Sequence, residues 1–370
     1  MLTDHAGWIA IVAVGAIVIA LLAWLVISTS GDKVAQAAAA GVRGFGRRRP
    51  HREHFRPEGA AKSAEAKRVA AIIVNPTKFD DLAAVRAQVT KGCLAVGWGE
   101  PLWVETTAQD PGTGQARQAV RDGATLICPL GGDGTVRAVA AALVGTEIPM
   151  GLLPGGTANL LARNLNLPVD SVDAALKVAL TGQNKRVDVG RLTVDPSGEH
   201  ESPEEHIFLI MAGLGFDAAI MADAPERLKN TVGPLAYTFS AAKNLRGPQF
   251  KVSIKIDDDA EFSRRTRTVV IGNCGKLTGG LVLMPEAQVD DGWLDAVILS
   301  PAGVVGWVAV AGRLISKKRK GHKRVDHHRL KSAAIRSDRP QEVQIDGDTI
   351  GQARALSVTV DPLALVVRVG

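Results

Sequence analysis

The sequence predicts an α/β domain built on a mostly parallel sheet with helices, followed by a β-rich domain and preceded by one transmembrane helix. Three observations predict it. Residues 8–27 are an unbroken apolar run, strand-like and helix-period segments alternate from Val69 onward, and after about residue 185 the pattern changes to short β-branched runs between polar turns. With 370 residues, 46% of them hydrophobic, the chain has apolar material for two domains with their own cores.

The first element is "WIAIVAVGAIVIALLAWLVI", residues 8–27, with no charge or proline and with Trp8 and Trp24 near its ends. A helix rising about 1.5 Å per residue crosses a hydrocarbon core of about 30 Å with this length, and tryptophans suit its two interfaces. A cleaved secretory signal is the competing reading; the long apolar core, the absence of a basic side chain in "MLTDHAG" and the weak cleavage site argue against it. Residues 1–30 are therefore expected to be a membrane anchor. The segment 31–56 carries seven basic residues against two acidic ones, +5 of the whole chain's +6. By the positive-inside rule the short N-terminus lies outside and everything after residue 30 is cytoplasmic. Residues 31–68 read as a basic, flexible linker able to lie on anionic lipid. Because the positive charge sits in a short tract rather than on a face with interleaved aromatics, a nucleic-acid partner is excluded. Cys93, Cys128 and Cys274 are far apart and form no CxxC pair, which suits buried thiols in a reducing compartment.

From Val69, "VAAIIVNPT" reads as a buried strand, "DLAAVRAQV" as a helix, "PLWVETT" as a strand and "GQARQAVRDG" as a helix. The β-rich part is read from "KRVDVGRLTV", "HIFLIMAG", "KVSIKIDDD", "TRTVVIGNC", "LDAVILS", "EVQIDGD", "ALSVTV" and "ALVVRV". The expected domains are 69–185 and 186–370. Between the helices lies "LICPLGGDGTVRAVAAAL", residues 126–143, where an apolar strand runs into helical spacing through three glycines. Glycine lets consecutive N–H groups face a phosphate at a helix start, where the dipole adds attraction. Asp133 would repel that phosphate unless a cation such as Mg²⁺ sits with it, or unless it removes a proton. The alternative is a plain glycine turn with Asp133 as a helix cap. In a parallel sheet the loops at the carboxyl ends of the strands share one crevice, so Asn75, Thr77, Gly131 to Thr135, Thr157 and Asn159 can converge.

The ordered set "NPT", "GGDGTV", "LLPGGTANLLARNL", "AGLGFDAAI", "PEAQVDDGWLDAVIL" and "VQIDGD" resembles the catalytic fold of the bacterial diacylglycerol kinase and sphingosine kinase superfamily over about residues 69–370. The resemblance implies ATP and Mg²⁺ as cofactors. Nucleotide contacts are implied at Asn75, Pro76 and Thr77 (with Lys78 and Phe79 in place of small residues), at Thr106 or Thr107, at Gly131, Gly132, Asp133, Gly134 and Thr135, and at Thr157 and Asn159. It implies a metal turn in "QVDDGW", with the Asp291 carboxylate and the carbonyls of Gln288 and Trp293, and a polar pair, Asp188 and Arg191, near the cleft. The catalytic residues implied are Asp133 and, as general base, Asp348, where relatives carry glutamate. Leu160 departs from the aspartate of many diacylglycerol kinases. Locally, Asn75 with Pro76 can simply end a strand, and Asp290-Asp291-Gly292 and Asp346-Gly347 can be ordinary hairpin turns.

The function implied is ATP-dependent phosphorylation of the diacylglycerol hydroxyl to give phosphatidic acid. Open alternatives are a sphingosine-like or other long-chain alcohol kinase and a membrane-tethered nucleotide-binding regulator without turnover. The tract "RLISKKRKGHKRVDHHRLK", residues 313–331, is either a solvated face or a dock for anionic lipid. A homodimer is compatible with the sequence, which does not decide it.

Overall fold

At the centre of the first sheet is β1 (Ala70–Val74), with all five residues buried. A strand apolar on both faces must be covered on both, as in parallel α/β sheets. It runs parallel to β2 (Leu102–Glu105) and β3 (Leu126–Gly131), and β4 (Leu153–Pro154) joins β3, giving the order β2-β1-β3-β4. The computed structural model describes residues 68–199, 203–215, 249–277, 282–301 and 325–370. The membrane-helix reading of residues 8–27, the linker 31–67 and most of the tract 313–331 lie outside these. Among the described residues no helix is long and apolar enough to cross a membrane.

Helices cover both faces of this sheet. They are α1 (Leu82–Ala95), α2 (Thr113–Arg121), α3 (Asp133–Leu143), α4 (Leu160–Asn164) and α5 (Val172–Thr181). Asp81 caps α1 by accepting the Ala84 N–H, and Ser171 caps α5 by accepting that of Ala174. One apolar cluster joins β1 and β3 to α1 and α5 through Ile72, Val89, Cys93, Leu126 and Leu176.

The β-rich part is a ten-stranded antiparallel sheet. Its strands are β5 (Gln183–Asp195), β6 (Glu204–Phe208), β7 (Met211–Leu214), β8 (Phe250–Ile256), β9 (Phe262–Thr266), β10 (Thr268–Gly272), β11 (Leu294–Leu299), β12 (Val325–Leu330), β13 (Ser332–Ile345) and β14 (Asp348–Val369). The order is β12-β11-β10-β7-β13-β14-β5-β6, with β8 pairing β13 and β9. A second apolar cluster fills the inside of this sheet, and a third runs without interruption from Ile73, Val139 and Ile127 to Val187, Met211, Val297 and Leu365.

Several runs differ from the sequence reading. "HIFLIMAG" divides at Leu209 and Ile210, because their amides are drawn to the carboxylate of Asp346. "TRTVVIGNC" divides after Thr266, whose hydroxyl donates to the carbonyl of Leu299. "ALSVTV" and "ALVVRV" are one strand, β14, with an irregularity between Asp361 and Leu365. There Leu363 takes φ +51 and donates its N–H to Asp188 Oδ1 at 2.7 Å. The end of β14 returns to the first sheet: the Met150 amide donates to the Val366 carbonyl at 2.8 Å and the Arg368 amide to the Met150 carbonyl at 2.9 Å. Cys93, Cys128 and Cys274 are all buried, and burial pushes each thiol above its ordinary range.

Candidate active site

The carboxyl ends of β1, β3 and β4 meet at two glycine loops. A side chain at Gly155 would place its Cβ 2.8 Å from the Gly131 nitrogen, and one at Gly156 would lie 2.6 Å from the Gly132 Cα. Backbone packed on backbone thus requires these glycines. Gly132 differs: a Cβ there would meet nothing closer than the Gly156 Cα at 3.9 Å, and its φ of −86° suits any residue. Neither packing nor conformation demands a glycine, so its use is the space it leaves at the N-terminus of α3, where backbone amides and the helix dipole favour a phosphate. The loop fits an ATP phosphate on this ground.

Around it, the Asn75 side chain accepts the amide of Thr77 at 3.1 Å and its hydroxyl at 2.8 Å, closing the short 3₁₀ turn Pro76–Lys78. Thr106 is buried beside the end of β1, while Thr107 is exposed and accepts the Asp110 amide. Phe79 lies over the second loop, its ring 2.9 Å from a Cβ built on Gly155. Asn159 takes the left-handed conformation at φ 47° and spends its amide group on the N–H and carbonyl of Gly156, so it shapes the loop from within. Thr157 is exposed at the loop tip, and Thr135 is buried under Gly131.

Asp133 is the first residue of α3, and it reaches across to α4, where Oδ1 accepts the Leu160 amide at 2.7 Å. Leu160 thus serves through its backbone. Burial raises the Asp133 pKa, the amides of Leu160 and Asn159 oppose the rise, and the charge of Asp348 adds to it. A carboxylate in that position gains from a cation, which fits the expected Mg²⁺.

The second domain contributes the hairpin between β13 and β14. Asp346 and Gly347 both have positive φ, 50° and 97°, the mirror-image two-residue turn that suits a twisted hairpin. Asp346 is buried and accepts three backbone amides, those of Leu209, Ile210 and Met211, at 2.9 to 3.0 Å. Burial pushes its pKa up to about 6 against the opposing pull of Arg137 and those amides. Asp348 opens β14 and is exposed, and a Cβ built on Gly134 would lie 3.2 Å from its Oδ2. The expected base therefore sits against the helix that the glycine loop opens. Arg137, which sequence reading missed, joins the two: Nη2 donates to Asp348 Oδ2 and Nη1 to the Ile345 carbonyl, each at 2.7 Å. The available signal was its spacing, one turn beyond Asp133 on the same helix face.

Away from this crevice, the "QVDDGW" turn is held by its own contacts. Asp291 accepts the Trp293 amide at 3.0 Å and pairs with Arg329, whose guanidinium lies over the Trp293 ring. Asp290 pairs with Lys185, and Gln288 is exposed. Among the described residues no group of three or more His, Cys, Asp or Glu side chains could hold a metal. A cation on Asp291 would have to share its carboxylate with Arg329. Asp188 and Arg191 do not act as a pair: Asp188 is buried and accepts the amides of Gly292 and Leu363, both at 2.7 Å, while Arg191 pairs with Asp361.

Asp295 on β11 has its pKa pushed up to about 6, by burial first and then by Asp291, with Arg329 opposing. A raised carboxyl pKa gives stability that is full below about pH 4 and lost as pH rises through about 6. Asp295→Asn is thus expected to match the wild type near pH 4 and to be more stable at pH 7.5 by about 1 kcal/mol, allowing for solvent screening. Urea unfolding at the two pH values checks it; equal stability at pH 7.5 removes the effect.

Comparison with known proteins agrees with this layout. Residues 69–192 match the diacylglycerol kinase catalytic domain family, and residues 210–369 match the YegS C-terminal NAD kinase beta sandwich-like domain family. A diacylglycerol kinase of Staphylococcus saprophyticus is 28% identical over 250 residues, covering 65% of this chain and 75% of its own. An uncharacterized protein of Synechocystis is 30% identical over 264 residues, and this alignment spans 66% of the present chain and 58% of that protein's length. The crystal structure of a diacylglycerol kinase from Bacillus anthracis superposes with a TM-score of 0.64 at 22% identity, over 84% of this chain and 99% of that one, a likeness of fold. The two matched families follow one another in the order of the two sheets: the chain joins a diacylglycerol kinase catalytic domain, that of a phosphotransferase, to a YegS-type C-terminal domain.

Proposed function

We propose that the chain transfers the γ-phosphate of ATP to the hydroxyl of diacylglycerol, giving phosphatidic acid. The observation that carries this reading is the approach of the Asp348 hairpin to the glycine loop: one element has room for phosphate, and the other brings a carboxylate beside it. The amides at the start of α3 would bind the phosphates, with Gly132 giving them access. Mg²⁺ bound with the nucleotide would neutralise phosphate charge, with Asp133 as its protein ligand. Asp348 would take the proton from the lipid hydroxyl as the oxygen attacks. Asn75, Pro76, Thr77, Thr106, Thr107 and Thr157 would serve the rest of the nucleotide. The apolar run 8–27 and the basic residues after it support a tether that keeps the crevice near its substrate on the cytoplasmic face.

The full chain incubated with γ-labelled ATP and vesicles holding diacylglycerol, a sphingoid base or another long-chain alcohol is expected to label phosphatidic acid first. Label confined to another lipid replaces the substrate assignment, and nucleotide binding without label in any lipid overturns the kinase reading. Deletion of residues 1–30 is expected to keep activity on detergent-dispersed lipid and to lower it several-fold on vesicles, because one membrane attachment is lost.

A further inference from the structure

We infer that Arg137 is a positioning residue for phosphoryl transfer, holding the Asp348 carboxylate against the start of α3 and so setting the distance between proton acceptor and phosphate loop. The inference rests on the kinase reading above. Its basis is the way one guanidinium serves two atoms of a hairpin that belongs to the other domain: the Ile345 carbonyl just before the turn and the Asp348 carboxylate just after it, each at 2.7 Å. A planar fork with fixed donors can do this, whereas the ammonium of lysine is one point charge on a flexible stem.

The ion pair is unequally buried, with 19% of the Arg137 side chain exposed and 57% of that of Asp348. A pair half open to water adds little to stability. Its geometric effect is larger. Asp348 is exposed and follows the exposed, left-handed Gly347. Without the guanidinium, staggered rotamers leading away from α3 become accessible to it. With it, Oδ2 is fixed beside Gly134 at the start of α3. Arg137 also pairs with the buried Asp346 at 4.0 Å, but three amides already hold that carboxylate, and the short contacts of the guanidinium are to Ile345 and Asp348.

The test is a double-mutant cycle on the full chain, with labelled ATP and the best lipid acceptor of the panel in vesicles, alongside thermal unfolding of each variant. Arg137→Gln is expected to lower kcat by about 10²-fold, the scale of a displaced catalytic group, and to leave the KM for ATP within about threefold. Arg137→Lys retains the charge but not the fork and is expected to lose about 10-fold. In the Asp348→Asn background the Arg137→Gln change is expected to cost less than about threefold further, since the carboxylate it positions is gone. An equal loss in both backgrounds, or a rise in KM with kcat intact, overturns the inference. If Arg137→Gln fails to fold, the same cycle is read with Arg137→Lys. A wild type that labels no lipid overturns the kinase reading and this inference together; an active wild type with additive variants overturns the positioning role alone.

Discussion

Asp348→Asn is expected to reduce turnover by about 10²-fold or more while leaving ATP affinity within about twofold, and Asp348→Glu is expected to keep much of the activity. The asymmetry follows from where the side chain stands. Asp348 lies outside the glycine loops and meets the nucleotide-side helix at Gly134 and Arg137, so loss of its charge leaves the backbone amides of the phosphate loop in place. Asparagine keeps the shape and the polar contact to the guanidinium but cannot accept a proton. Glutamate adds one methylene at an exposed position where a small hairpin adjustment can absorb it. Turnover and nucleotide affinity measured for both variants decide the role; an active asparagine variant would move proton acceptance to another group, with Asp133 the first to test.

Asp346→Ala is expected to cost stability rather than chemistry alone, by about 3–5 kcal/mol, out of a total that for most domains is about 5–15 kcal/mol. Three amides at the break between β6 and β7 would lose their common acceptor in a buried place, and Arg137 would lose a compensating charge. If the site stays closed the three amides are left unpaired, so the strand ends must rearrange or open. Asp346→Asn is expected to lose less, because one carbonyl oxygen can still accept the Ile210 and Met211 amides. Urea titration of the three proteins measures the series; an alanine variant within about 1 kcal/mol of wild type would mean that these amides find other partners.

Much of this was readable in the chain. The parallel layer announced itself through buried apolar runs that end in turn residues, and "GGDGT" marked the strand-to-helix loop because glycine and acid there conflict unless a ligand resolves them. Asp346-Gly347 carried two readings, hairpin turn and functional motif, and the geometry makes them compatible: the turn is what delivers Asp348. What stayed hidden depends on partners far away in sequence. Arg137 finds Asp348 across 211 positions, and Asp188 finds Leu363 across 175. No local periodicity encodes such meetings. The division of "HIFLIMAG" is of the same kind, since nothing within it reveals that a carboxylate 136 residues later will take the Ile210 amide. Helix α5 is a different case: Ser171 as cap and Gly182 as stop are local signals that mark it in the sequence itself.

The return of β14 to Met150 has a consequence for biosynthesis. As the chain leaves the ribosome, the first sheet emerges well before the strand that borders it beyond Met150, whose Val366 and Arg368 come much later in the chain. Arg368, which also donates to the Gly182 carbonyl, lies 186 positions after that partner. Until it arrives, the polypeptide presents an uncovered sheet edge and an unfinished apolar cluster, the features that invite wrong pairing and chaperone attention. Closure of the fold is therefore a late event, and agents that bind exposed edges should capture nascent chains stalled before residue 360 far more readily than released ones.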